Sequence, residues 1–187
     1  MFYKRCIPLL VLFSLHGCFS SHYYILSTPS NPKYTYNRYK MHIGVEKVTL
    51  PKYLFKREIA VATSSHEVIF VSNGTWAEDL DEGLTLRIIG FLRKKFNQPN
   101  IHAYPWGTDK QPHKKIYIAI SRFIAQDHTV YLDAAWEIKN IQTGQRTSRL
   151  FSTEIPTDMH TPNIIDAMNQ AFSQLEKNIA KGLLHKN

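Results

Sequence analysis

Cysteine is nearly missing from this 187-residue chain, with only Cys6 and Cys18. Two thiols cannot build a disulfide framework or a cysteine-rich metal centre. Long apolar runs are missing too. The longest, within residues 6–13, is about eight residues, against the roughly 20 needed for a helix to cross a bilayer. Acidic residues are outnumbered, 15 against 23 Lys and Arg. No Gly-rich loop could cradle a phosphate, and no serine sits in a nucleophile-elbow pattern. The nine histidines are scattered, with no i, i+4 pair of the zinc-binding kind, so no metal or cofactor is expected. What remains is an ordinary globular composition, 43% hydrophobic and 12% aromatic. That excludes a disordered chain, a coiled-coil rod and a collagen-like repeat.

The N-terminus carries a targeting segment. Lys4 and Arg5 precede the apolar run, and Leu15-His16-Gly17-Cys18 follows it. A short basic end, a short apolar core and small residues before a break are secretory-signal anatomy. The last four residues resemble the bacterial lipobox, in which the Cys thiol is alkylated by a diacylglyceryl group and the same residue becomes the new N-terminus. Residues 1–17 are therefore expected to be a lipoprotein signal peptide and Cys18 the lipidation site, which palmitate would label. Two or three acyl chains, at about 0.8 kcal/mol per buried methylene, hold a protein firmly on a membrane. Phe19 rather than Asp follows the Cys, which favours the outer membrane, facing the periplasm, in a Gram-negative bacterium. Loss of Lys4 and Arg5 lowers the net charge from +8 to +6. In that compartment a basic balance is compatible with anionic head groups, an acidic partner face or plain solubility, rather than nucleic acid.

Residues 18–40 are rich in Ser, Pro, Asn and Tyr and read as an extended tether, with Tyr23-Tyr24-Ile25-Leu26 as a short docking element or, as tyrosines beside an anchor, at head-group level. The folded domain is then expected over residues 41–187. Strand patterns cover residues 43–48, 59–62 and 67–71, followed by a turn at Asn73-Gly74-Thr75. Leu80, Leu84, Ile88, Phe91, Leu92 and Phe96 mark one face of a helix, with Asp79 and Glu82 placed as a capping box. A strand at Ile101–Tyr104 leads into a loop from Pro105 to Lys115, with Trp106 exposed at its start. Ile116, Ile118, Ile120 and Ile124 share one face of the next strand, and residues 130–138 alternate in the one after. Tyr131, Asp133, Ala135 and Glu137 point the other way. A hairpin into Arg149-Leu150-Phe151-Ser152 and a helix from about Pro162 complete the chain. The expected architecture is α+β, a mostly antiparallel sheet with two helices packed on one face, preceded by an extended tether. The acidic cluster Glu78-Asp79-Asp81-Glu82 sits where a helix begins and reads as dipole complement, not acid-base machinery. No catalytic residue is identified, and the chain is not expected to be an enzyme.

Six segments in order carry a resemblance: the lipobox; Tyr23-Tyr24 with Leu26; Gly44-Val45 through Val48, Leu50-Pro51 and Tyr53-Leu54; Trp76-Ala77-Glu78 with Leu80 and Gly83; Tyr104-Pro105-Trp106; and Leu132 to Trp136. Together they resemble the ABC-type transport auxiliary lipoproteins, the PqiC-like family. The resemblance implies a non-catalytic lipoprotein that serves a lipid-moving system maintaining envelope integrity. Its partners would be a periplasm-spanning MCE-domain protein and an inner-membrane permease and ATPase. In some members it implies a homo-oligomeric ring, for which Tyr104 and Trp106 are candidate contacts, as for partner binding. Trp76, Glu78, Leu80 and Gly83 read as a structural motif. Two other readings stand beside it: a lipoprotein activator of a cell-wall synthase, and a hydrolase with an unrecognised site.

Overall fold

The computed structural model describes residues 22–37, 41–106 and 111–184. Among these residues the strands are β1 (His22–Tyr24), β2 (Ile43–Glu46), β3 (Glu58–Ala62), β4 (Val68–Trp76), β5 (Ile101–Tyr104), β6 (Lys114–Gln126), β7 (Thr129–Asn140) and β8 (Arg146–Pro156). The helices are α1 (Leu80–Phe96), between β4 and β5, and α2 (Thr161–Leu184), after β8. All eight strands join one sheet. Its axis is β6, which pairs along one edge with β2, at Ile43↔Lys114, and further on with β3, at Val61↔Ala125. Its other edge carries β7, and β8 lies beyond. The long ladders, β6–β7 and β7–β8, are antiparallel, as is β3–β4. The short contacts of β1 with β4, β2 with β5 and β6, and β3 with β6 are parallel. The fold is α+β.

The long ladders are fixed locally. Asp127 and His128 both have positive φ, 48° and 62°, and form a two-residue turn whose twist matches that of the strands it joins. On β6 and β7 the alternating side chains Ile116, Ile118, Ile120, Leu132 and Trp136 are buried under the helices. The apolar stripe of α1 is buried as its spacing predicts, Leu84, Ile88, Phe91, Leu92 and Phe96 to 0% exposure. Gly182 lets α2 approach β7. A Cβ there would lie 2.3 Å from Trp136 Cη2, while Trp136 Nε1 donates to Asn178 Oδ1 at 2.8 Å. Gly182→Ala is therefore expected to destabilise the domain by about 1–3 kcal/mol through overpacking, outweighing the gain in helix propensity. Thermal unfolding checks it.

Four local expectations are corrected. A bulge between Ile120 and Arg122 shifts the β6 register, so Phe123, not Ile124, continues the helix-facing set; its ring lies 6.4 Å from that of Phe172. Ile124 instead pairs with Tyr131, on the opposite face. Asn73-Gly74-Thr75 is not a turn: β4 runs through it, and Gly74 is buried because Ile59 Cδ1 would stand 2.8 Å from an added Cβ. The capping box does not form. The Asp79 side chain makes no cap bond, and Asp81 Oδ1 instead accepts from the Glu82 N–H at 2.8 Å while pairing with Lys47. Finally, β6 begins at Lys114, inside the expected loop.

Residues 23–26 dock on the domain as expected, and residues 27–37, read from composition as tether, lie on it too. β1 pairs with β4, Leu26 is 1% exposed, and the chain then follows α1 in the same direction. Pro29 sits over Gly90, Lys94 Nζ donates to Asn31 Oδ1 at 3.0 Å, Lys95 Nζ to the Tyr34 carbonyl at 2.7 Å, and Asn97 Nδ2 to Asn37 Oδ1 at 3.1 Å. A buried polar cluster fastens this strap. Arg87, from α1, donates through Nε to Glu176 Oε1 of α2 at 3.2 Å, through Nη1 to the Leu26 carbonyl at 3.2 Å, and through Nη2 to Ser173 Oγ at 2.9 Å. The Ser30 hydroxyl donates to the other Glu176 oxygen at 2.6 Å.

Candidate docking surface

With both helices on one side, the other face of the sheet is open. Direct pairing sets its rows. Tyr117, Glu137 and Ser148 form one across β6, β7 and β8; Ala119, Ala135 and Leu150 form the next; Asp133 and Ser152 lie in a third. The middle row is an apolar floor ending in Leu150, which is 88% exposed. Two adjoining hollows of about 490 and 630 Å³ share Ala119, Ala135 and Leu150. The rims are polar and internally satisfied. Arg146 pairs with Glu137 at 3.1 Å, Ser148 Oγ donates to Glu137 Oε2 at 3.0 Å, and Ser152 donates to Asp133. The Arg122 guanidinium lies 3.7 Å from the Tyr131 ring centre. The Lys47 ammonium at the edge is held above its usual pKa by its hydrogen bond to Asp81, so it stays charged.

The same face continues to β5. Tyr104 pairs with Glu46, which lines the first hollow, and Lys115 Nζ sits 3.5 Å from the Tyr104 ring centre. Trp106 meets Tyr104 edge-on at 5.6 Å and His102 at 5.9 Å. It covers Gly44, where an added Cβ would be 3.0 Å from Trp106 Cζ3. Trp106 is thus half-buried on the sheet, not the exposed loop residue expected. The structure brings Tyr104 and Trp106 onto one face with the outward set Tyr131, Asp133, Ala135 and Glu137. Tyr117, Ala119 and Leu150 were not singled out in the sequence, although the β7 alternation implies them once the register is known. A shallow, wide surface with an apolar floor, tyrosines and a paired charged rim suits a protein partner better than an enclosed small molecule.

The motif at residues 76–83 lies at the junction of β4 and α1. Trp76 ends β4, is 3% exposed, and donates its backbone N–H to the Arg57 carbonyl at 2.7 Å. The Glu78 carboxylate leans over Gly83, 2.9 Å from where a Cβ would stand, near the positive end of α1, and Leu80 is buried. Trp76→Ala is expected to cost about 3–5 kcal/mol, read as a lower melting temperature. Trp76→Phe is expected to keep most of that stability, because the indole Nε1 has no hydrogen-bond partner among the described residues. Cys18 lies outside the described residues. Among the described residues, no three His, Cys, Asp or Glu side chains are placed to hold a metal ion, and no helix is long and apolar enough to cross a membrane.

A model of the ABC-type transport auxiliary lipoprotein component family matches residues 24–180. The chain belongs to that family. The match opens inside β1 and ends inside α2, so it spans both the strap and most of the final helix. Among solved structures, the fold is similar to that of a Xanthomonas campestris protein of the family DUF330, at a TM-score of 0.74 and 14% identity, over 87% of this chain and 95% of that one. It is also similar to an uncharacterized protein at a TM-score of 0.68 and 21% identity, over 88% of this chain and 99% of the other. A comparison with curated proteins finds none that matches the sequence.

Proposed function

We propose that this auxiliary lipoprotein is a non-catalytic subunit lipidated at Cys18, anchored on the periplasmic side of the outer membrane. There it receives the periplasm-spanning MCE-domain protein of an ABC-type system that moves lipids between membranes. The observation that carries the reading is the open sheet face of Tyr104, Tyr117, Ala135 and Leu150 in a chain of this family. The lipobox supports the anchor. The long outer edge of β8 and the Tyr104–Trp106 corner are the surfaces by which copies would join in a ring, a heterologous contact that closes. Affinity capture of the full-length protein from gently solubilised envelopes tests the role. The MCE-domain protein and its permease are the expected partners; capture of a peptidoglycan synthase in their place would favour an activator of cell-wall synthesis.

A further inference from the structure

The anchor limits which side of the domain can face the bilayer. Four peptide steps separate Cys18 from His22. At no more than about 3.6 Å per residue, the lipidated residue lies within about 14 Å of His22. His22 itself is fixed, paired with Gly74, and the strap behind it is pinned by buried Leu26. The acyl chains therefore enter the membrane beside the β1–β4 edge of the sheet.

That edge is apolar where an edge is ordinarily blunted with charge. Tyr23 is 66% exposed, Ile25 49%, Ile69 48% and Phe70 42%. Among the described residues, β1 pairs with β4 only at Gly74–Trp76, leaving Val68–Asn73 without a partner on that side. Phe70, four residues from Gly74, falls within the same reach as the anchor. Small polar residues Thr63, Ser64 and Ser65 form the adjoining hairpin tip, with Glu67 accepting from the Thr63 hydroxyl. The opposite edge, β8, is five strand spacings from β1 and four from β4, about 24 and 19 Å at roughly 4.8 Å each.

We infer that Tyr23, Ile25, Ile69 and Phe70 form a membrane-contacting edge that seats in the head-group region of the leaflet holding the anchor. The inference rests on the lipidation of Cys18. Tyrosine and phenylalanine suit that depth, with apolar rings and, for tyrosine, a wet hydroxyl. Once the acyl chains are inserted, contact by this edge is an intramolecular event at millimolar effective concentration. It therefore fixes orientation more than affinity, and it turns the β6–β8 side of the sheet away from the bilayer.

The test uses the full-length lipidated protein in vesicles of phosphatidylethanolamine and phosphatidylglycerol. Cys6 leaves with the signal and Cys18 is blocked by its thioether, so a single introduced cysteine takes an environment-sensitive fluorophore alone. Labels at Phe70→Cys, at Tyr23→Cys and, as the far-edge control, at Leu150→Cys are compared for quenching by nitroxide-bearing lipids. Quenching at 70 and 23 is expected to exceed that at 150 at least threefold. A smaller ratio in protein that has incorporated palmitate overturns the membrane edge alone. Failure to incorporate palmitate overturns the anchor and this inference with it.

Discussion

Arg87→Met is expected to destabilise the domain by about 3–5 kcal/mol and to lower its melting temperature by roughly 10 °C. Arg87 and Glu176 are 2% and 0% exposed, and removing one partner leaves the other's polar atoms buried without compensation. The guanidinium also holds the Leu26 carbonyl and Asn169 Oδ1, so the strap loses its fastening in the same step. The effect should depend on pH. Burial pushes the Glu176 carboxyl above its usual range, against the opposing pull of Arg87 and the Ser30 hydroxyl. A raised carboxyl keeps its proton in the folded chain where the unfolded chain has released it, so its stabilising contribution falls as pH rises through that interval. Without Arg87 the interval widens upward. The deficit of Arg87→Met relative to the parent is therefore expected to be smaller at pH 5 than at pH 8. Arg87→Met combined with Glu176→Leu should recover much of the loss, since an apolar pair leaves no orphan charge. Thermal unfolding followed by circular dichroism at the two pH values reads all of this.

Cys18→Ser is expected to abolish palmitate incorporation and to leave the protein either soluble or still carrying its signal. A serine hydroxyl does not accept the diacylglyceryl group, and Cys6, inside the expected signal segment, is the one other cysteine in the sequence. No described helix is long and apolar enough to cross a membrane. Because Cys18 lies upstream of β1, the melting temperature should stay at the parent value, which separates loss of the anchor from loss of the fold. Palmitate label in the substituted protein would show that Cys18 is not the acceptor.

Elements with a strong local period were legible in the sequence. The six apolar positions of α1 and the alternation of β6 and β7 bury as their spacing requires, and Tyr131, Asp133, Ala135 and Glu137 lie on the opposite face. Features decided by distant neighbours were not legible. Parallel pairing of β2 with β5 joins segments on either side of α1, and nothing in either strand's pattern names its partner. The β6 bulge needs one extra residue, and Arg122 read there only as a break in the apolar set. Docking of residues 23–26 was legible, but residues 27–37 looked like tether because Ser, Pro and Asn are turn formers. Ser30 instead binds into the Arg87 cluster, whose members are 61 and 89 residues from Arg87 in sequence. Leu150 escaped notice because β8 is an edge strand whose mostly exposed side chains leave little contrast between faces. Only its register with Ala135 places it on the open floor.

The docking role is tested most directly by placing a photo-crosslinking residue at position 150 of the lipidated protein and irradiating intact cells. Leu150 is 88% exposed at the outer end of the apolar floor, so the replacement disturbs little packing. The expected result is an adduct with the periplasm-spanning MCE-domain protein that disappears in Cys18→Ser. An adduct with a peptidoglycan synthase, or no adduct from a protein that is lipidated and folded, would contradict it.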